Sequence, residues 1–316
     1  MIEIAPSGRR IAGAVFGAAI GDAMGHPVEF MRIDEIRARF GPEGVRGYEL
    51  YFERDARRFA PFTDDTQMAE AVLESLLEGR AAGEDLDGTM RRMAKKLIAW
   101  ARAPKGGHRA PGNACLSGCG ALERGAPWSE AGAPDAGGCG SVMRAYPFGL
   151  VFADDLERAE AWAVAHSRLT HGASIAFAAC AAMAVGTALS LRGTAADATL
   201  DAMSAAAARY DAPTAKMIAQ AVEEARSGVD PSVTLERLQG WAAHEAIAAA
   251  AYVLARHPDD ARRAILEGAN TSGDSDSIAT LAGALVGARV GLEGIPAEWV
   301  AEIERAEDLA ALAAAI

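Results

Sequence analysis

Residues 274–287 read Asp-Ser-Asp-Ser-Ile-Ala-Thr-Leu-Ala-Gly-Ala-Leu-Val-Gly, an acidic and hydroxyl-rich start followed at once by an apolar stretch. The apolar residues recur at the spacing of one helix face: Ile278, Leu281, Ala282 and Leu285. Gly283 and Gly287 lie about one turn apart and leave room for another helix to approach closely. The stretch predicts a tightly packed helix with carboxylates at its amino-terminal end.

A similar cluster, Thr63-Asp64-Asp65-Thr66, lies in the first quarter of the chain. It is also followed by apolar residues at helical spacing: Met68, Val72 and Leu76. The opposite face is predicted to contact water through Glu70, Glu74 and Glu78. Gly79 is predicted to end this helix.

Each cluster taken alone is typical of a helix N-cap, where hydroxyls and carboxylates accept backbone hydrogen bonds and complement the helix dipole. Two such clusters with two aspartates each suggest a role beyond helix capping. If the fold brings them together, four carboxylates share a small volume and need a compensating cation. Mg²⁺ takes carboxylate, hydroxyl and water oxygens as ligands. We therefore predict a metal site split between the two clusters.

The composition favours helices over sheets. Apolar residues make up 51% of the 316 residues, many of them Ala, whereas Trp, Tyr and Phe number only 5, 5 and 9. Further helices are predicted over 90–101, 156–169, 174–191, 196–208, 215–227, 233–240 and 245–255, and residues 103–134 are predicted to be loops around short helices. No strand pattern, repeat or linker is evident. The prediction is one all-α domain over residues 1–316.

The net charge of −12 argues against nucleic acid as the main partner, although a metal or a helix N-terminus can still attract a small phosphate-bearing molecule. The four cysteines form no Cys-x-x-Cys pair, so we expect reduced thiols and a cytoplasmic location. Residues 173–191 are long enough to span a membrane, but their Ala-rich composition favours a buried helix. The Gly-rich run after Arg10 carries Asp22 and lacks an evident cleavage site, so no signal peptide and no membrane contact are expected.

Three further segments carry weaker signals. The Gly-rich residues 137–144 could direct backbone N–H groups at an anion, or the glycines could simply form a turn. His166 and His171 lie near a predicted helix end, where a hydrogen-bonded structural histidine is the more common case. Trp241 and His244 could line a ligand pocket, but a core tryptophan beside a hydrogen-bonded histidine is the more common case. By sequence alone, Glu29 is one of many glutamates.

Five segments taken in order resemble the ADP-ribosylglycohydrolase family. The resemblance extends from about Ile11 to about Gly291 and is specific, because separate motifs occur in the family's order. The segments are Gly-Asp-Ala-Met-Gly-His-Pro-Val-Glu-Phe at 21–30, Phe-Thr-Asp-Asp-Thr at 62–66, Gly-Cys-Gly-Ser-Val-Met-Arg at 138–144, Leu-Thr-His-Gly at 169–172 and Ser-Gly-Asp-Ser-Asp-Ser at 272–277.

The resemblance implies a site with two Mg²⁺ ions, or Mn²⁺ in their place. The implied metal ligands are Thr63, Asp64, Asp65, Asp274, Asp276 and Ser277, where many relatives carry Thr at the last position. Glu29 matches the family's mobile glutamate, and Glu29 and Asp65 are the candidates for the general acid or base. The diphosphate loop falls on Gly138, Cys139, Gly140 and Ser141, and a substrate-contacting histidine falls on His171. Cys139 stands where several relatives carry Asn.

The implied activity is hydrolysis of the bond between ADP-ribose and a modified acceptor, with arginine on a protein as the first expectation. A serine-linked, polymeric or small-molecule acceptor is the alternative. A non-catalytic ADP-ribose-binding or structural member of the family is another. The expected partner is an ADP-ribosylated protein or an ADP-ribose-containing small molecule, and the expected oligomeric state is a monomer.

Overall fold

The computed structural model describes residues 6–54 and 56–316, and helices dominate this part of the chain, which confirms the predicted all-α class. Sixteen α-helices lie within it: α1 Pro6–Gly25, α2 Ile33–Phe40, α3 Asp64–Ala81, α4 Leu86–Arg102, α5 Asn113–Glu123, α6 Tyr146–Val151, α7 Leu156–Ser167, α8 Ser174–Leu191, α9 Ala196–Ala208, α10 Ala212–Ser227, α11 Pro231–Arg237, α12 Ala243–Arg256, α13 Ala261–Ala269, α14 Ser275–Val290, α15 Ala297–Glu302 and α16 Ala306–Ala314. Short 3₁₀ helices lie at His26–Val28, Trp128–Glu130, Cys139–Arg144 and Leu292–Gly294.

Two short strands, β1 Phe52–Arg54 and β2 Arg57–Phe59, pair in antiparallel fashion with Phe52 opposite Phe59. The sequence pattern did not predict them. Each strand has three residues and lies largely at the surface, so the pair lacks the buried alternation by which a strand is recognised.

One contiguous hydrophobic core joins most of the helices, with α1, α8, α12 and α14 at its centre. Helix α8 has the predicted bounds, and its Ala-rich surface lets neighbouring helices approach closely. By length and composition α8 could span a membrane, but 78% of it is buried inside the protein. The prediction of a buried helix is confirmed.

Helices α1 and α14 pack in antiparallel fashion through facing glycines. A Cβ on Gly17 would lie 2.2 Å from the Gly283 carbonyl oxygen, and a Cβ on Gly13 would lie 2.2 Å from that of Gly287. A backbone oxygen at that distance excludes any side chain, so the close contact predicted from the glycines of α14 is confirmed. The carboxyl end of α1 therefore lies beside the amino end of α14, where the Ser275 hydroxyl donates to the Gly25 carbonyl at 2.9 Å.

Three local predictions were wrong. Helix α3 continues through Gly79 to Ala81, where it packs along α4. Glu70 does not face water but is buried and forms an ion pair with Arg305. Helix α11 covers Pro231–Arg237 rather than residues 233–240, because the residues after it pair with other segments. The Cys139 amide donates to the Trp241 carbonyl, and the Asp274 amide donates to the Gln239 carbonyl.

Candidate active site

A buried aspartate of α1 holds the start of α3. Asp22 is fully buried, and its carboxylate accepts hydrogen bonds from the Thr63 amide at 2.9 Å and from the Thr66 amide at 3.0 Å. The Thr66 hydroxyl also donates to it at 2.6 Å. We did not predict this role for Asp22, although a lone acid in an apolar helix was a signal for it.

The two acidic clusters meet as the amino-terminal ends of α3 and α14. Thr63 caps α3, and its hydroxyl accepts from the Asp65 amide at 3.3 Å. Across the junction the Ser277 hydroxyl donates to Asp65 Oδ2 at 2.9 Å. Each cluster thus begins a helix, but only the Thr63 side chain makes the expected cap bond, since Asp274 precedes α14 without one. The two clusters also share one cavity. Asp64, Asp274 and Asp276 lie in the same cavity wall.

The electrostatics of this cluster favour a cation. Burial raises the pKa of Asp64, Asp65 and Asp276 well above the usual range, and neighbouring carboxylates raise it further. Among the described residues no Lys or Arg forms an ion pair with any of these three aspartates. Carboxylate and hydroxyl oxygens are the donors that Mg²⁺ and Mn²⁺ prefer, so the residues present fit a hard divalent ion.

Glu29 lies at the rim of the same cavity, directly after the 3₁₀ turn His26–Val28. The next residue, Phe30, has a positive φ of 69°, and its amide donates to the Gly273 carbonyl at 2.9 Å. The Gly273 amide in turn donates to the Met31 carbonyl at 3.2 Å. These two bonds attach the segment that carries Glu29 to the residue that precedes Asp274.

The cavity has a volume of about 370 Å³, within the usual range for a small-molecule pocket. Phe30 and Trp241 form one wall, with ring centroids 4.9 Å apart and planes inclined by 27°. Phe30 is 70% exposed and Trp241 is 38% exposed. The interpretation of Trp241 as a core residue was wrong, because its backbone pairs with Cys139 and its ring projects into the cavity. His244 Nδ1 has no hydrogen-bond partner among the described residues, so this histidine is not the hydrogen-bonded one expected.

The Gly-rich segment forms the opposite wall. Gly138, Cys139 and Gly140 line the cavity, whereas Ser141 is fully buried behind it and its hydroxyl accepts from Ser167 at 2.9 Å. The Cys139 amide already donates to the Trp241 carbonyl, and the Cys139 thiol donates to Asp274 Oδ2 at 2.7 Å. The structure therefore brings three of the four predicted loop residues to the cavity and leaves the Ser141 side chain outside it.

His171 lies against this loop and is neutral. Burial and the nearby Arg144 guanidinium lower the pKa of His171 to about 3. Arg144 donates to Thr170 Oγ1 at 2.7 Å, and that hydroxyl lies 2.8 Å from His171 Nδ1. With Thr170 donating to Nδ1, the ring proton is on Nε2, which lies near Gly138 and can donate to an anion.

Arg144 is fully buried and forms no ion pair among the described residues, so its charge adds positive potential behind the loop. This role was not predicted from the sequence, although Arg144 is the last residue of the motif at 138–144. His166 is structural: it is buried, its Nδ1 contacts the Ala163 carbonyl, and its ring packs against Phe148.

The family model for ADP-ribosylglycohydrolase matches residues 5–316. The chain belongs to the ADP-ribosylglycohydrolase family. It is a hydrolase of ADP-ribose linkages, and the expected fold, family and enzyme class are confirmed.

Named relatives cover most of the chain at low identity. The chain is 29% identical over 96% of its length to "ADP-ribosylarginine hydrolase Tri1" of Pseudomonas putida, and the match covers 76% of that protein. It is 27% identical over 93% of its length to "ADP-ribosyl-[dinitrogen reductase] glycohydrolase" of Rhodospirillum rubrum, with 90% of that protein covered. A solved "ADP-ribosylglycohydrolase-related protein complex" matches 98% of this chain and 97% of that one, with 27% identity and a TM-score of 0.70.

Proposed function

We propose that this family member is a Mg²⁺-dependent hydrolase that releases ADP-ribose from modified arginine side chains of proteins. The observation that carries the proposal is the convergence of Asp64, Asp65, Asp274 and Asp276 in one cavity, with Ser277 bonded to Asp65 across the junction. Arginine is the proposed acceptor because two relatives are named for ADP-ribosylarginine.

The metal ligands of the proposal are Thr63, Asp64, Asp65, Asp274, Asp276 and Ser277, which offer only carboxylate and hydroxyl oxygens to two ions. When bound, a divalent ion supplies positive charge and Lewis acidity next to the reacting bond. Mn²⁺ shares this oxygen preference and is the expected substitute.

In this proposal Glu29, rather than Asp65, is the residue that transfers the proton. Asp65 is 4% exposed and accepts from Ser277. The Glu29 side chain is 12% exposed in the same cavity lining, and its nearest charged partner is His26, whose Nδ1 lies 3.5 Å from Glu29 Oε2. A general acid or base must reach both the substrate and exchangeable solvent protons. The cleaved bond develops positive charge at the anomeric carbon, which the surrounding carboxylates stabilise.

The diphosphate of the substrate is proposed to bind against Gly138, Gly140 and His171. The neutral His171 offers an Nε2–H donor there, and the buried Arg144 adds positive potential behind the loop. This local arrangement explains how a protein with a net charge of −12 can bind an anionic substrate. The stacked Phe30 and Trp241 rings offer an aromatic surface for a base or a guanidinium group.

The test is release of ADP-ribose from arginine-modified and serine-modified peptides, with Mg²⁺ and with excess chelator. We expect release from the arginine substrate with Mg²⁺ only. The variant Asp64→Ala/Asp276→Ala should lose at least about a hundredfold in rate, as expected when metal ligation is destroyed. Asp154→Ala, an exposed acid outside the cavity, is the matched control.

Three results separate the alternatives. Full release in chelator, or in the double variant, contradicts the metal proposal. Release from the serine substrate alone contradicts arginine as the acceptor and supports the second linkage. Tight ADP-ribose binding without release from either substrate contradicts this proposed activity and supports a binding role.

A further inference from the structure

Arg144 is an arginine in the protein interior without a counter-charge. It is 0% exposed and forms no ion pair among the described residues. Its guanidinium hydrogen-bonds to neutral groups: Nη2 donates to Thr170 Oγ1 at 2.7 Å, and Nη1 contacts the sulfur atoms of Met68 at 3.2 Å and Cys115 at 3.6 Å. Nε is shielded from solvent and has no hydrogen-bond partner within the described ranges. Arginine is almost never buried this completely unless it is paired, so its surroundings point to an anion that binds near it.

The charge of Arg144 destabilises the free protein. Transfer of a cation from water to the interior is unfavourable unless an opposite charge or strong hydrogen bonds compensate. One hydroxyl and two sulfur atoms compensate only in part, because sulfur is a weak acceptor. A contribution to stability therefore does not explain this residue, whereas a role in binding an anion does.

The cavity that contains the acidic cluster comes close to Arg144. Cys115 and Gly140 line the cavity, and the Cys115 thiol lies 3.6 Å from Arg144 Nη1 and 3.7 Å from the Gly140 carbonyl oxygen. Nη1 is thus separated from the cavity by a single side chain. An anion against this wall interacts with the guanidinium through the protein interior, where charges are screened less than in water.

Thr170 connects Arg144 to a second cavity residue, His171. Thr170 Oγ1 accepts from Arg144 and lies 2.8 Å from His171 Nδ1. No other acceptor for the Thr170 proton lies among the described residues, so the hydroxyl donates to Nδ1. A proton on Nδ1 would also face the side on which the guanidinium charge lies, which is unfavourable. The two bonds keep the His171 proton on Nε2, beside the cavity residues Gly138 and Gly140.

We propose that Arg144 and Thr170 are positioning residues for an anion bound in the cavity, and that this anion is the counter-charge of Arg144. Arg144 attracts the anion through its charge, and Thr170 holds His171 as an Nε2–H donor toward it. Arg144 and Thr170 are both buried and do not contact the anion themselves. The anion is a diphosphate, and its identification as that of ADP-ribose rests on the proposed function.

Arg144→Met distinguishes a positioning role from a structural one. Met fills a buried arginine site without charge, so the urea midpoint of the free variant should equal or exceed that of the wild type. The affinities for ADP-ribose and for pyrophosphate, measured by calorimetry with Mg²⁺ and with excess chelator, should fall about tenfold or more. Arg289→Met is the matched control, because Arg289 donates to the Pro258 and Thr194 carbonyls outside the cavity. It should lower the midpoint and leave both affinities unchanged.

Variants of Thr170 test the connection to His171. In ¹⁵N NMR spectra of histidine-labelled protein, the Nδ1 signal of His171 should show an accepted hydrogen bond in the wild type and in Thr170→Ser. Thr170→Val removes the hydroxyl, so this feature should disappear and the ADP-ribose affinity should fall. Thr170→Ser should recover both. The spectrum of His171→Gln assigns the signal.

A lower midpoint with unchanged anion affinity in Arg144→Met would show a structural arginine and overturn the inference. Equal ADP-ribose affinities in the wild type, Arg144→Met and Thr170→Val would overturn it too, as would a wild type that binds neither anion. If Arg144→Met lowers both midpoint and affinity, the Thr170 pair decides, because only a positioning role predicts recovery in Thr170→Ser. Affinity that depends on Arg144 in a protein that releases no ADP-ribose supports the inference while the proposed function fails.

Discussion

The Ser277 hydroxyl donates to Asp65 Oδ2 at 2.9 Å and so joins residues that lie 212 positions apart in the sequence. Asp65 belongs to the first turn of α3 and Ser277 to the first turn of α14. This bond connects the two halves of the proposed metal site directly. The relative position of these two helix ends therefore decides whether the site forms.

Replacement of Ser277 tests that connection. Ser277→Ala removes the hydroxyl and should weaken Mg²⁺ binding by about ten- to a hundredfold, whereas Ser277→Thr keeps the oxygen and should stay close to the wild type. Calorimetric titration with Mg²⁺ measures the affinity. Ser129→Ala, at an exposed position, controls for the substitution itself. Equal Mg²⁺ affinity in the Ala and Thr variants would contradict a role for the hydroxyl.

Removal of the Asp22 carboxylate should destabilise the start of α3. Asp22→Ala leaves the Thr63 amide, the Thr66 amide and the Thr66 hydroxyl without their acceptor, at a cost of roughly 1–3 kcal/mol for each buried group. Urea unfolding in saturating Mg²⁺ measures the loss. Asp155→Ala, which removes the exposed cap of α7, should cost only about 1 kcal/mol. Equal losses in these two variants would show that the buried bonds do not matter.

A methyl group between α1 and α14 should lower the stability of the fold and displace the helix ends that form the proposed metal site. In Gly17→Ala the new Cβ would lie 2.2 Å from a backbone oxygen, so the helices must move apart at a cost of about 1–3 kcal/mol or more. Gly120→Ala is the matched control, because its Cβ would meet only the flexible end of Arg124 at 3.2 Å, and Ala favours a helix. Thermal unfolding should show a lower midpoint for the first variant and no decrease for the second. A lower midpoint in both would argue against the specific contact.

The neutral state of His171 predicts a pH dependence of stability. Its pKa is about 3 in the folded protein against 6.5 ordinarily, so between these values the unfolded chain binds a proton that the native chain does not. This contribution to stability is present above pH 6.5 and is lost as the pH falls toward 3. His171→Gln removes it, so the stability of the variant should decline less steeply between about pH 6.5 and pH 4. Urea unfolding at several pH values measures the slope, with His108→Gln as control, and identical slopes in His171→Gln and the wild type would refute the prediction.

Local pattern was enough to predict most helices and the two acidic helix starts. The bounds of α8 and α9 agree with the prediction, because helical periodicity and capping depend on residues only a few positions apart. The resemblance of five ordered motifs added the family and the residues to examine. It could not say which of them face the cavity: Cys139 does, and the Ser141 side chain does not.

Other features depend on contacts between distant segments. The acceptor role of Asp22, the exposure of Trp241 and the approach of His26 to Asp276 all arise from such contacts. Among these three, residue type offered a signal only for Asp22, the lone acid of an apolar helix. Glu70 shows the same limit, since helical spacing assigned it to the wet face but Arg305 covers it.

The sequence by itself therefore determined the helical class, the family and the two acidic helix ends, because each rests on spacing within a short segment or on motif order. Only the tertiary structure decided that these ends form one site. The glycines of α1 and α14 carry no Cβ, so the two helix backbones approach more closely than any side chain would allow. That contact, with Asp22 on α1 holding α3, brings Asp65 and Ser277 into hydrogen-bond distance. A cluster of mutually repelling carboxylates is a property of this packing, and no single segment of the chain contains it.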